Sequence, residues 1–320
     1  MIDPPVTFNL YGLSVRSEIP LPAPAIESRD NDLDVKWGES LSETEPINGR
    51  PVARLQFPDG RGYSMIETEE GWTLRYEGVA DFRFDRSLRN VLVHPAPGGN
   101  IAIIPLLLSS NVPALVLSLG GHRVLHASAV ELDGAAFGFL GDSGSGKSTL
   151  AALCCAAGAR LIGDDLLRLE PSSNGFRCVR GPSEIRLRQP ARALAEWFEA
   201  SRVKQTADDR LAIGVEPAAN DRAPLRVLAV SRPSRECTAI SIERLGRVEA
   251  LYALTRYART TGWRAPELLG RQFTGFSEVA ATVPVFNLVV PWGPPFSHGL
   301  GRAVLHRLSE ARAKPFEVCI

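Results

Sequence analysis

Residues 141–148 read Gly141-Asp142-Ser143-Gly144-Ser145-Gly146-Lys147-Ser148, small and glycine-rich until they end in Lys-Ser. Before them Ala135-Ala136-Phe137-Gly138-Phe139-Leu140 is a short apolar run, as a strand buried on both faces requires. After them Thr149-Leu150-Ala151-Ala152-Leu153-Cys154-Cys155-Ala156-Ala157 suits a short buried helix, with Gly158 placed to stop it. A strand, a glycine-rich loop and a helix in that order place backbone N–H groups and a positive helix end around phosphate oxygens. The chain is therefore expected to bind a nucleoside triphosphate through Gly141, Asp142, Ser143, Gly144, Ser145, Gly146, Lys147, Ser148 and Thr149. Lys147 would reach the β and γ phosphates, and the Ser148 hydroxyl would ligate Mg²⁺.

At 320 residues and 44% hydrophobic content the chain can bury a sizeable core in one or two domains. Lys plus Arg and Asp plus Glu are both 36, so it lacks the basic field that draws nucleic acid. The cysteines, Cys154, Cys155, Cys178, Cys237 and Cys319, are odd in number and show no C-x-x-C spacing. Reduced thiols in a cytoplasmic protein are the plain reading, and no secretion signal is read at the N-terminus. Ile101 to Leu119 is strongly apolar but is broken by Pro105, Asn111 and Pro113, and it reads as a buried linker helix, not a membrane span.

Three domain segments are expected. Residues 1–98 alternate short β-type runs (Phe8 to Val15, Val52 to Phe57, Tyr63 to Thr68, Trp72 to Tyr76, Asp81 to Phe84, Asn90 to Val93) with turn signals such as Pro58-Asp59-Gly60 and Glu70-Gly71, giving a mainly antiparallel β domain. Residues 99–121 are the apolar linker helix, and 122–320 form an α/β domain. In it Ala191 to Ala200, Val248 to Arg259 and Leu300 to Ala313 have helical spacing, while Arg226 to Ser231, Thr238 to Glu243 and Val285 to Val290 read as strands. Ser201 to Pro224 is long, polar and poorly patterned, as suits either a mobile substrate-contacting loop or plain disorder.

Val124 to Leu132 is a β-type run that reaches Asp133-Gly134, the favoured pair of a two-residue hairpin turn, and continues into the phosphate-loop strand. Pairing Leu132 with Ala135 and counting back puts His126 opposite Gly141, at the phosphate mouth. Downstream, Ala159-Arg160-Leu161-Ile162-Gly163 reads as the next parallel strand of a βαβ unit, ending in Asp164-Asp165. Those carboxylates should face the triphosphate, one holding Mg²⁺ and the other orienting or deprotonating a hydroxyl. Side chains alternate along a strand, so the two point the same way only if the strand has ended, and their division of roles stays open. Arg232 and Arg235 could clamp a phosphate or carboxylate, or simply face solvent.

The set His126-Ala127-Ser128, Gly141 to Ser148 and Gly163-Asp164-Asp165 resembles the catalytic domain of HPr kinase/phosphorylase, itself related to phosphoenolpyruvate carboxykinases. The resemblance covers roughly residues 122 to 190. It implies that His126 and Asp165 serve proton transfer from a protein serine hydroxyl. Ser183-Glu184-Ile185-Arg186 is similar to a family segment whose acidic residue assists the metal, which makes Glu184 a metal candidate beside Ser148 and Asp164. The family's acidic residue after the loop is replaced by Thr149, and its Pro-Gly-Arg-Asn signature is only faintly echoed by Arg232-Pro233-Ser234-Arg235. The N-terminal stretch Phe8 to Pro22 looks like HPr-kinase-related proteins that include lasso peptide kinases, which phosphorylate the terminal serine of a precursor peptide.

The expectation is an HPr-kinase-like P-loop domain of mixed sheet and helices with a smaller β-rich N-terminal domain. It would use ATP and Mg²⁺ to phosphorylate a serine of a peptide or protein, the resemblance favouring the C-terminal serine of a lasso precursor peptide over an HPr-type protein, with neither nucleic acid nor membrane as partner and self-association left open. A small-molecule phosphotransferase and a non-catalytic ATP-binding module are the alternatives.

Overall fold

The computed structural model describes residues 4–28, 30–41, 46–56, 62–259 and 262–313. Pro58-Asp59-Gly60, Phe57 and Cys319 lie outside the described residues. The chain forms two compact units, Met1–Gly121 with Thr260–Gln272, and His122–Arg259 with Phe273–Ile320.

In the first unit eight strands make one sheet: β1 (Val6–Leu10), β2 (Leu13–Ser17), β3 (Leu33–Trp37), β4 (Arg50–Gln56), β5 (Gly62–Glu67), β6 (Gly71–Tyr76), β7 (Ala80–Asp85) and β8 (Asn90–Pro95). Their spatial order is β1-β2-β3-β8-β7-β6-β5-β4. All neighbours are antiparallel except β2 with β3 and β3 with β8. The run Phe8 to Val15 is a hairpin and not one strand: Tyr11 (φ 55°) and Gly12 (φ 78°) are both left-handed, and the Asn9 side chain accepts the Gly12 N–H at 3.0 Å. Arg75 and Asp81 stand opposite each other on β6 and β7 and form a two-pronged ion pair, both bonds 2.7 Å.

Residues 99–121 belong to this unit and are no single linker helix. A 3-10 turn over Ile101–Ile103, capped by Asn100, leads into α1 (Ile104–Ser109) and α2 (Asn111–Leu119), parted at Ser110. The stretch is long and apolar enough to cross a membrane. Here Ile104, Leu108, Val112 and Leu117 are buried in the unit's core, and Asn111 bonds the Tyr76 hydroxyl. The unit also takes residues from beyond the second half: Arg264 N–H bonds Val52 O at 2.8 Å, covering the open edge of β4.

The second unit is mixed α/β. Its elements are β9 (Arg123–Leu125), β10 (Ala127–Leu132), β11 (Ala135–Leu140), α3 (Lys147–Ala156), β12 (Arg160–Gly163), β13 (Leu167–Ser172), β14 (Gly175–Val179), β15 (Glu184–Leu187), β16 (Val203–Gln205), β17 (Leu211–Gly214), β18 (Arg222–Ser234), β19 (Ser241–Arg244), α4 (Arg247–Arg256), α5 (Pro266–Thr282), β20 (Val285–Pro291) and α6 (Leu300–Ala313). The division between units falls inside α5, a helix with no counterpart in the sequence reading. The main sheet runs β12-β10-β11-β18-β14-β13-β9, with β20 and β19 carried on β18.

β11 is buried at every position, and its two faces feed different cores. Phe137 and Phe139 pack with Leu150 and Leu153 of α3 and with Val304 and Leu308 of α6. Ala136 and Leu140 pack with Leu254 of α4 and Phe276 of α5. The hairpin β10–β11 has the expected register, Leu132 with Ala135 through Ala127 with Leu140, over a left-handed Asp133-Gly134 turn. The run Val124 to Leu132 nevertheless breaks at His126, where the chain leaves the partner of β13 and joins β11 and β12.

Two further readings are corrected. β12 is not adjacent to β11; β10 lies between them, antiparallel to both, so β12 and β11 still run the same way. Ser201 to Pro224 is not a bare loop: β17 pairs with β15 and carries β16 on its other edge, in a small sheet whose Ile185, Leu187 and Ile213 are buried against α3's core. The Ala191 to Ala200 segment is a 3-10 run, Gln189–Trp197.

Candidate active site

β11, β18 and β20 are mutually parallel, and β12 shares their sense, so all four carboxyl ends open on one edge of the sheet. The phosphate loop leaves β11 in the middle of that edge. Two glycines of the loop are spatially required. A Cβ on Gly141 (φ 151°) would fall 2.2 Å from the Ser145 hydroxyl, and one on Gly146 (φ 80°) 2.3 Å from the Trp292 ring. α3 begins right after, and its first internal bond is Leu150 N–H to Gly146 O at 2.8 Å. The N–H groups of Lys147, Ser148 and Thr149 precede any intrahelical acceptor and are directed out of the helix start.

Lys147, only 7% exposed, folds its ammonium back onto Gly141 O at 2.8 Å and Asp142 O at 3.0 Å. Burial pushes its pKa down to about 8, although the carboxylates of Asp165 and Asp164 pull the other way. An ammonium held by two carbonyls on a desolvated floor is a cation ready to exchange them for phosphate oxygens. The loop is braced from outside by Arg188 on the Ser143 hydroxyl (2.8 Å), Arg256 on Asp142 (3.0 Å) and the Ser231 hydroxyl on Ser145 O (2.9 Å).

The two aspartates divide cleanly. The strand ends at Gly163, and Asp165 takes a left-handed conformation (φ 72°) that turns its side chain back toward the mouth. Asp164 is 8% exposed; its Oδ1 accepts from Ser148 at 2.8 Å and from Ser128, and its Oδ2 accepts Arg186 N–H at 3.0 Å. Asp165 meets His126 Nδ1 at 3.2 Å and Arg259 at 2.8 Å, with Arg186 at 3.8 Å. Burial drives the Asp165 carboxyl upward, but Arg259, then His126 and Arg186, outweigh it and hold it well below the usual carboxylate range. His126 is fixed from behind by its own N–H on Tyr257 O at 2.7 Å.

Of the sequence-expected residues, Lys147, Ser148, Asp164, Asp165 and His126 are thus gathered at one mouth. Glu184, expected as an aid to the metal, pairs with Lys204 at 2.6 Å, two residues before Arg186 on the same face of β15. Arg232 bonds Asn287 at 3.2 Å. Among the described residues no cluster of three His, Cys, Asp or Glu side chains gathers for a metal. The sequence reading did not single out Arg259, Arg256, Arg188 or Trp292. Arg186 and Ser128 stood inside quoted motifs, and only the contacts reveal what they do.

No family model matches the chain, and no curated protein matches it in sequence. Among solved structures it is similar to the Hpr(Ser) kinase/phosphatase from Coxiella burnetii, with 12% identity over 59% of this chain and 92% of that one, and a TM-score of 0.32. So low a score carries nothing about the chemistry, which rests on the residues themselves.

Proposed function

We propose that the second unit is an ATP-dependent kinase that moves the γ-phosphoryl group to a hydroxyl, with the serine of a peptide or protein as acceptor. The observation that carries this reading is the split of adjacent carboxylates, Asp164 onto the loop serine and Asp165 onto a histidine, at one phosphate mouth. A nucleotide-binding module needs the first contact and has no use for the second.

Mg²⁺ fits this donor set. A hydroxyl and a buried carboxylate oxygen 2.8 Å apart at a phosphate loop are hard oxygen ligands, and magnesium takes few protein ligands beside phosphate and water. Ser148 and Asp164 would hold it; bound there, it neutralises charge on the phosphate oxygens. Lys147 supplies a second positive charge on the same oxygens. Asp165, clamped by Arg259, is a weak proton acceptor and acts as the group that orients His126. With Nδ1–H held between the Asp165 carboxylate and the Asp165 backbone carbonyl, each 3.2 Å away, the Nε2 lone pair of His126 is left to accept the proton of the attacking hydroxyl.

The finer reading, a lasso-type kinase acting in the cytoplasm on a C-terminal serine, rests on the sequence resemblance. The free thiols at Cys154, Cys155, Cys178 and Cys237 suit a reducing compartment. The decisive assay offers γ-labelled ATP with peptides ending in serine, the same peptides ending in alanine, and free serine. Label in serine-ended peptides only supports the reading; ATP bound with no acceptor-dependent turnover sinks it.

A further inference from the structure

The mouth has two unlike sides. Along the sheet edge, β10 and β12 lie on one side of β11 and carry His126, Asp164 and Asp165. On the other side β18 carries Ser231 and Arg232 near its carboxyl end, and β20 leads into Trp292. A hydroxyl delivered by His126 reaches the transferring phosphorus from the first side. In-line displacement then sends the leaving diphosphate, with its ribose and base, toward the second.

That second side is aromatic. Trp292 follows β20 directly, and its backbone N–H is fixed on Ser234 O at 3.0 Å. Its six-membered ring lies against Gly146, since a Cβ there would fall 2.3 Å from Cη2 and Cζ2. Phe296 braces it edge-on at 5.3 Å and 87°, and in the same segment between β20 and α6 His298 stacks on Trp197 at 3.9 Å. Trp292 remains half-buried, neither sunk in the core nor loose in solvent. A ring immobilised this way loses little entropy on receiving a planar partner, and every nucleobase offers a π-face.

We propose that Trp292 is the platform on which the purine base of the nucleotide stacks. The proposal rests on the reading of the loop as a triphosphate site, and the test separates the two. Calorimetric titration of the full chain uses ATP and inorganic tripolyphosphate, which lacks a base, on wild type, Trp292→Ala and Trp292→Phe. The expected result is that wild type prefers ATP to tripolyphosphate, that Trp292→Ala weakens ATP by roughly tenfold or more while leaving tripolyphosphate unchanged, and that Trp292→Phe keeps most of the ATP affinity. Equal weakening of both ligands would mean that the ring merely props Gly146, and the proposal falls. It falls equally if wild type binds tripolyphosphate as tightly as ATP, a measurement that needs no variant to fold and leaves the phosphate site standing. If wild type binds neither ligand, the loop reading fails and takes the proposal with it.

Discussion

The Ser148 hydroxyl and Asp164 Oδ1 are 2.8 Å apart, which ties the first turn of α3 to the end of β12 across the intervening strand β10. The carboxylate that accepts this bond also accepts from Ser128 on β10 and from the Arg186 N–H on β15, so one buried side chain joins four elements at the phosphate loop. Removing the hydroxyl should therefore affect metal use more than folding. Ser148→Ala is expected to shift the Mg²⁺ dependence of ATP binding several-fold to higher concentration with a stability loss of about 1 kcal/mol. Asp164→Asn should raise the Mg²⁺ requirement further, because the amide keeps the shape and loses the charge. Unchanged Mg²⁺ titrations in both variants would show that the metal is held elsewhere.

Lys147 is a buried cation, and its removal separates binding from stability. Lys147→Met should lose ATP affinity by on the order of a hundredfold while its melting temperature stays level or rises. The pH dependence has a definite sign. The folded-state pKa is lowered to about 8 from the ordinary 10.5, so between those values the unfolded chain holds more protons and stability rises with pH. ATP needs the ammonium, so its affinity should fall as pH climbs through about 8, with proton uptake on binding above that point. Calorimetry in buffers of different ionisation enthalpy reads the uptake; its persistence in Lys147→Met would assign it to another group.

Asp165 holds two arginines as well as a histidine. Asp165→Asn takes a carboxylate away from Arg259 and Arg186 in a largely enclosed site, and a stability loss of about 3 kcal/mol is expected, partly recovered in Asp165→Asn/Arg259→Met. Below its melting temperature, kcat should fall by on the order of a hundredfold with ATP affinity near wild type. His126→Ala should lose at least as much turnover. A His126→Ala enzyme faster than Asp165→Asn would return the proton-accepting role to the aspartate.

Gly301, near the start of α6, has no room for a side chain. A Cβ there would fall 2.1 Å from Leu153 O and 2.7 Å from Cys154 N, both backbone atoms of α3. Gly301→Ala must push α6 off the phosphate-loop helix, and a loss of about 1–3 kcal/mol in chemical denaturation is expected. A variant as stable as wild type would mean that the two helices part without cost.

Much of the site is local and was legible for that reason. The loop, its buried strand and its helix are consecutive in sequence. The left-handed Asp133-Gly134 turn fixed the register that carries His126 to the mouth. Side-chain alternation also made plain that Asp164 and Asp165 could share the mouth only past the end of a strand. What stayed hidden was non-local. Arg259 lies 94 residues from Asp165 and Arg256 lies 114 from Asp142, and an arginine's sequence neighbours say nothing of a carboxylate so distant. Residues 203–205 and 211–214 looked like loop because short, half-polar strands carry little periodicity, and they became strands only by pairing, β17 on β15 and β16 on β17.

The sequence by itself determined that a phosphate loop stands between a buried strand and a buried helix, with a histidine and two carboxylates directed at it, because those placements follow from backbone rules acting over a few residues. Only the tertiary structure decided which carboxylate serves the loop serine and which the histidine, that β10 separates β11 from β12, and that arginines and an aromatic loop surround the mouth. Those outcomes depend on how two cores pack on opposite faces of one sheet, and burial of that kind is shared among segments far apart in the chain.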